Sequence, residues 1–371
     1  ARGYAAQAMA RYVIKLGSNI VADEAGALRE DLLTAVCSEV AARHEAGDSV
    51  VLVSSGAIAR GIEVLELGSR PQAMADLQAA SAVGQGKLYR VYDELLRERS
   101  IISAQVLLTF FDVGHRSHYL NARQTLSRLL EWGVVPVVNE NDTTATEEIS
   151  FGDNDFLAAQ VAIMVGADRL VLLTNQDGLH QADPRTDPNA PLVDQVSHPS
   201  QLSEYEIGQA PSGLGSGGMR SKVVAAEMAT AAGIPTTVAS GIREGALARA
   251  LSGEPEGTRF AAQDERYSSF ELWLRYAKPT RGTLTIDSGA ERALRESGAS
   301  LLPVGISAVD GEFEPGDAVE LHGAAGVIGK GICNYSAEEL GRVAGLGSDE
   351  VETIIGRTPE VAVHRDYLAL G

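Results

Sequence analysis

The chain has 371 residues, of which 44% are hydrophobic, 22% charged and 5% aromatic, and it carries a formal net charge of −19. That length fits two domains, and the apolar share is enough for a sizeable core. The negative balance argues against a general nucleic-acid or membrane-surface binder, because both targets are anionic, but local charge still leaves room for an anionic substrate.

YVIKLGS (residues 12–18) reads as a buried strand ending in a turn. Leu28, Leu32, Leu33, Val36 and Val40 recur at helical spacing over residues 27–46. SVVLVSSGA (49–57) is a strand running into a glycine turn, and helical text follows from about 72 to 98. IISAQVLLT (101–109) is the next strand, and LNARQTLSRLLEWG (120–133) is a helix closed by glycine. VVPVVNEND (134–142) passes from strand to polar loop, FLAAQVAIMVGA (156–167) is a helix, and RLVLLTN (169–175) is a strand. A helix over 219–232 and a strand at IPTTVAS (234–240) complete the series. This alternation predicts an α/β fold: a three-layer, mainly parallel sheet with helices on both faces. In such sheets the ligand site lies beyond the carboxyl ends of the strands.

The text changes near residue 260. AAQDERYSSFELWLRYAKP (261–279) reads as a connector with helical pattern. Beyond it come GTLTID (282–287), a helix over 288–297, GASLLPVGI (298–306), GDAVELHG (316–323) and GVIGKGIC (326–333), read as short strands with turns. The expected division is a first domain over 1–262, a connector over 263–279 and a small β-rich domain over 280–371. No apolar run approaches 18 residues, so no membrane span is expected. Cys37 and Cys333 are the only cysteines, without CxxC or zinc spacing, and two buried free thiols in a reducing compartment are expected. The opening ARGYAAQAMAR lacks the apolar centre of a signal peptide and reads as a ragged start.

Polar residues and glycines collect where the strands end. Lys15 closes the first apolar run ahead of Gly17 and Ser18, and an ammonium there either snorkels to solvent or meets an anion. Ser54, Ser55 and Gly56 suit either a backbone anion site or an ordinary serine cap. NEND (139–142) and GDND (152–155) hold Asn139, Asp142, Asp153, Asn154 and Asp155 in two polar loops. These acids would repel a phosphorylated acceptor. They suit the ammonium of an amino acid or a divalent metal, with capping of the following helix as the alternative. Thr174, Asn175 and Gln176 follow another strand, as a ribose or phosphate site would require.

SGLGSGGMRSK (212–222) sets four glycines before a helix, without the Gly-Lys-Ser/Thr triplet of a Walker A loop. Lys222 then falls in the first helical turn, against the helix dipole. A bound phosphate would resolve that conflict; a mobile linker with a solvated lysine is the other reading. Two lysines, two glycine turns and an acidic pocket together suit phosphoryl transfer, where catalysis is mostly positioning and charge stabilisation.

VIKLGS, VLVSSGAIARG, LNARQTL, PVVNENDTTAT, FGDNDFLAAQVA, GLHQADPR and SGLGSGGMRSK, with SGASLLPVGI and VAVHRDYL further on, give the chain a resemblance to the glutamate 5-kinase family of the amino acid kinase superfamily. The resemblance covers nearly the whole chain. NEND with GDND, and GLGSGGMRSK, separate it from acetylglutamate kinase and uridylate kinase, and the second domain resembles a PUA domain. The resemblance implies a three-layer catalytic domain of the amino acid kinase type. It implies ATP-dependent phosphorylation of the L-glutamate side-chain carboxylate to L-glutamate 5-phosphate, the first step of proline biosynthesis, with Mg²⁺. It also leads to the expectation of proline as feedback inhibitor, a homo-oligomer, channelling to glutamate-5-phosphate reductase and a cytoplasmic location.

Carried over by motif, Lys15 and Lys222 contact the transferring phosphoryl group and Asp153 holds those lysines. Ser55, Asp142 and Asn154 bind glutamate, with Gly56 and Asp155 nearby. Lys15, Thr174 and Asn175 bind ATP together with Ser216, Gly217, Gly218, Met219, Arg220, Ser221 and Lys222. No residue is assigned as a metal ligand. Two departures stand out: Asn175 replaces the family's usual aspartate, keeping an acceptor oxygen without the charge, and KLGSN leaves Asn19 without a role. Residues 279–371 hold 7 basic against 15 acidic residues, which disfavours RNA and points to a structural or regulatory second domain. The rival expectations are a kinase for another amino-acid or acyl carboxylate, and an RNA-binding protein using the PUA-like domain.

Overall fold

Valine-, isoleucine- and leucine-rich runs buried on both sides build the sheet of the first half, as strands of a parallel sheet require. The structure, a computed structural model, describes residues 9–371 apart from 24–25, 110–111, 114, 145–153, 206–217, 264–268, 273, 276–277, 279 and 356–360. The chain divides into two units, Ala1–Arg266 and Tyr267–Gly371.

In the first unit the strands are β1 (Arg11–Leu16), β2 (Ser49–Ser54), β3 (Ser103–Leu108), β4 (Val135–Glu140), β5 (Arg169–Thr174), β6 (Gln195–Val196), β7 (Thr236–Ser240) and β8 (Thr258–Phe260). Their order across the sheet is β3-β4-β2-β1-β5-β7-β8-β6. Every pairing is parallel except that of β7 with β8. The chain builds one side of the sheet from β1 through β4 and then crosses to the other with β5. The switch point therefore lies between β1 and β5, the position where open α/β sheets bind ligands.

Side chains alternate between the two faces of a strand. Ile14 and Leu16 of β1 pack in one apolar cluster with Leu33, Val36 and Val40 of the helix Glu30–Glu45 and Leu88 and Leu96 of the helix Met74–Arg97. Val13 and Lys15 therefore face the other side. There the helix Asn154–Val165 packs over β1, β2, β4 and β5, with the helix Met219–Ala231 beside it. Residues on every side of Asn154–Val165 are buried, as suits a helix enclosed between a sheet and other helices.

Two glycines bring the helices Ala57–Val64 and Met74–Arg97 close together. A Cβ on Gly61 would stand 1.7 Å from the Ala80 carbonyl oxygen, and one on Gly84 would stand 1.9 Å from that of Ala57. Gly56, which opens Ala57–Val64, has φ 102°, a conformation glycine adopts without a Cβ penalty.

The second unit holds β9 (Thr280–Ile286), β10 (Ile306–Gly311), β11 (Ala318–Gly323), β12 (Gly326–Cys333) and β13 (Val363–Leu370), ordered β10-β9-β11-β12-β13. Only β9 and β11 pair in parallel. The helix Ser288–Ser297 starts where the Asp287 carboxylate accepts from the amides of Gly289 and Ala290, and it ends at Gly298 with φ 57°. The strand expected over 298–306 is a correction: Leu301 makes an isolated bridge, Pro303–Gly305 is a short 3-10 turn, and β10 begins only at Ile306. Pro303 lacks the N–H a ladder needs. The helices Ala57–Val64, Ala246–Ser252, Ala337–Val343 and Ser348–Ile355 are short, and the alternation of apolar and polar residues assigns them no ranges.

Cys37 and Cys333 are buried and unpaired, in the first and second units respectively. Burial pushes their thiols up to about 12 and about 11, so neither ionises near neutrality.

Candidate active site

The parallel register ends four strands level with one another. Leu16 stands opposite Ser54 and Leu173, and Thr174 opposite Ser240. The loops that follow β1, β2, β5 and β7 thus open on one edge of the sheet, beside the switch point.

At this edge two lysines meet one carboxylate. Asp155 is 0% exposed and lies in the first turn of Asn154–Val165, where the helix dipole favours an acid. Lys15 is 2% exposed, and its Nζ is 2.5 Å from Asp155 Oδ1. Lys222 is 4% exposed, and its Nζ donates to Asp155 Oδ2 at 3.0 Å. Ser221 Oγ donates to the same Oδ2 at 2.9 Å. Burying an ammonium costs several kcal/mol in lost hydration, so such groups persist only with close counter-charges, and Asp155 serves both. It also offsets the unfavourable place of Lys222 at a helix N-terminus. Gly218 starts Met219–Ala231 and has no side chain with which to cap it. The first-turn amides of a helix opened in this way suit an anion.

Asp153, the residue expected to hold the lysines, lies outside the described residues. The carboxylate seen to do so is Asp155, which the motif places with the glutamate ligands.

A second cluster lies on the β2–β4 side. Asn154 Nδ2 donates to Ser55 Oγ at 3.0 Å and to Asn139 Oδ1 at 3.1 Å. The Glu140 amide donates to Asn139 Oδ1 at 2.9 Å, and Asn139 Nδ2 donates to Gln85 Oε1 at 2.6 Å. Asp142 accepts from Ser81 Oγ at 2.8 Å. Burial pushes the Asp142 carboxyl above the ordinary range, against the lowering pull of the Ser81 hydroxyl and Arg70. Ser55, Gly56, Asn154 and Asp142 therefore lie around one group of loops. Gln85 and Ser81 belong to no motif. Their signal is a polar Ser81 interrupting the apolar stripe of Met74–Arg97, with Gln85 one turn further on.

On the β5 side Thr174 is buried, and its Oγ1 lies 3.4 Å from Oδ1 of the exposed Asn175. The Gly17 amide donates to the Leu173 carbonyl at 3.3 Å, which ties the loop after β1 to the end of β5. Ser216 and Gly217 lie outside the described residues. Gly218, Met219 and Arg220 lead into the helix that carries Ser221 and Lys222, and Arg220 is exposed. Among the described residues no group of three or more His, Cys, Asp or Glu side chains could hold a metal ion. No described helix is long and apolar enough to cross a membrane.

The model of the amino acid kinase family matches residues 10–240, and that of the PUA domain matches residues 282–355. A glutamate 5-kinase of Meiothermus ruber is 46% identical over 367 residues, covering 98% of this chain and 97% of the relative. Glutamate 5-kinases of Synechococcus sp. (strain JA-3-3Ab) and Polaromonas sp. (strain JS666 / ATCC BAA-500) are each 45% identical, covering 96% and 97% of this chain and 97% and 96% of their own lengths.

Proposed function

The chain belongs to the amino acid kinase family, with glutamate 5-kinases as full-length relatives, and we propose that it transfers the γ-phosphoryl group of ATP to the side-chain carboxylate of L-glutamate. The observation that carries this reading is the pair of buried lysines held on opposite oxygens of Asp155, at the edge where β1 and β5 part.

A side-chain carboxylate with an ordinary pKa of about 4.3 is ionised at neutral pH, so the nucleophile needs no general base. One of its oxygens forms a bond to the γ-phosphorus, the bond to the β,γ-bridging oxygen breaks, and ADP leaves with that electron pair. No proton is transferred. Charge on the equatorial oxygens is met by the ammonium groups of Lys15 and Lys222, which Asp155 holds in place beforehand. Asn154 and Ser55 supply hydrogen bonds to the acceptor, Gly56 lets the backbone turn beside it, and Asp142 meets its ammonium. Thr174, Asn175 and residues 216–222 take the nucleotide. Mg²⁺ takes most of its ligands from phosphates and water, so it enters with ATP and needs no dedicated protein cage; its chemistry is to neutralise phosphate charge. Proline inhibition, self-association, delivery to a reductase and a cytoplasmic location accompany this proposal, as does a structural or regulatory role for the PUA domain.

The test is a coupled ADP-release assay offering L-glutamate, N-acetylglutamate and aspartate side by side. Glutamate is expected to win by the largest kcat/KM; equal use of another acceptor overturns the assignment.

Asp142 links stability to binding. Its pKa is raised in the folded state, so the stability it supplies is full below the ordinary carboxylate range and is lost as pH rises through the raised value. At neutral pH its ionised form is therefore a cost. Asp142→Asn keeps an acceptor for Ser81 and is expected to melt slightly higher than the parent protein. Loss of the ion pair to the glutamate ammonium should raise the glutamate KM about 30-fold, with the ATP KM little changed. The converse split, with ATP binding weakened and glutamate unaffected, would assign the acidic loop to the nucleotide.

A further inference from the structure

We propose that Gln85 is a positioning residue for the acceptor site: its side-chain oxygen anchors the outer end of an amide relay that ends on the Ser55 hydroxyl. The proposal rests on the glutamate reading given above and adds a residue that none of the motifs contains.

The relay is fixed by donor and acceptor chemistry. Gln85 Oε1 accepts from Asn139 Nδ2 at 2.6 Å, which turns Asn139 Oδ1 the other way. There Oδ1 accepts from the Glu140 amide at 2.9 Å and from Asn154 Nδ2 at 3.1 Å. Asn154 Oδ1 faces the same Glu140 amide at 3.3 Å, so its Nδ2 points at Ser55 and donates to Oγ at 3.0 Å. A serine hydroxyl has one proton. With Oγ already accepting from Asn154, that proton is directed onward, and the hydroxyl presents a donor, as a carboxylate ligand requires.

The reversed relay is unfavourable at each step. Turning the Asn139 amide over would set its NH₂ against the Glu140 N–H and the Asn154 NH₂. Turning Asn154 with it would present a carbonyl to Ser55, which would then spend its proton inward. Asn139, Asn154 and Ser55 are all buried, so water does not cheaply repair a wrong orientation. The Glu140 N–H can only donate, so it sets the direction, and Gln85, the outermost member, closes the relay by accepting from Asn139 Nδ2 and holding that amide in place. Its helix is held at close range by Gly61 and Gly84 against the helix that follows Ser55, which keeps both ends of the relay in register.

Gln85→Met keeps the side-chain length and removes the acceptor; Gln85→Glu keeps an acceptor at the same reach. In steady-state kinetics with glutamate and ATP varied separately, Gln85→Met is expected to raise the glutamate KM about tenfold, the cost of one buried hydrogen bond left unmade. The kcat and the ATP KM should hold near those of the parent, the melting temperature should fall by only a few degrees, and Gln85→Glu should recover most of the loss in both glutamate KM and melting temperature. Asn154→Ala, run beside them, separates two failures. If Asn154→Ala raises the glutamate KM and Gln85→Met does not, the relay is wrong and the glutamate site stands. If neither moves it, the glutamate reading falls and the relay with it. A fall of kcat, ATP affinity and melting temperature together in Gln85→Met, without recovery in Gln85→Glu, marks a packing role and also overturns the proposal.

Discussion

Lys222→Ala is expected to lower turnover by about 10²–10³-fold, the usual cost of removing one preorganised donor from a transition-state charge. The lysine reaches the site from the first turn of Met219–Ala231, and Asp155 fixes its Nζ at 3.0 Å, so little reorganisation is needed when charge develops. Its interaction with the equatorial oxygens strengthens as the phosphoryl group loosens from ADP, so kcat should fall more than either KM rises. The same coupled assay checks this, with a melting curve to show that the variant is folded. Near-normal turnover in a folded variant removes Lys222 from the mechanism. Asp155 would pair with Lys15 in that variant, which limits the structural damage and makes the kinetic result readable.

Much of this site is legible in the amino-acid sequence, for physical reasons that differ from residue to residue. Lys15 is conspicuous because an ammonium at the end of an apolar run has few places to go, and here it meets a carboxylate. Ser55 and Asp142 follow apolar strands and Asn154 opens a helix, and parallel pairing brings such strand ends together whatever their separation in the chain. That Asp155 bridges Lys15 and Lys222 is not legible, because the motif sets it among the glutamate ligands and only tertiary contact brings both ammonium groups to one carboxylate. Gln85 and Ser81 are hidden for another reason. They sit inside a long helix whose pattern reads as apolar packing, and only tertiary contact shows that this stretch supports the loop after β4. The edge of the sheet is hidden as well: β6 and β8 have two and three residues, too few to show alternation.

Asp155→Asn is expected to cost both stability and catalysis. Asparagine keeps the shape and loses the charge, so two ammonium groups, 3% and 5% exposed at the side chain, lose the carboxylate that both of them meet. Breaking a buried ion pair from one side costs about 3–5 kcal/mol, because the remaining charge stays desolvated. For a unit of this size that corresponds to a melting temperature lower by about 10 °C. Turnover should fall at least as far as in Lys222→Ala, since both cations lose the group that orients them.

The two losses can be separated. Adding Lys15→Met to Asp155→Asn removes one desolvated charge and fills its channel with an apolar chain of similar length. Part of the lost melting temperature should return, while activity should stay at the level of the single variant or below. Non-additivity of this kind is the signature of residues that act as one unit. Recovery of activity along with stability would mean that Lys15 opposes the reaction. A single Asp155→Asn variant that melts and turns over like the parent would show that the bridge between the lysines serves neither purpose.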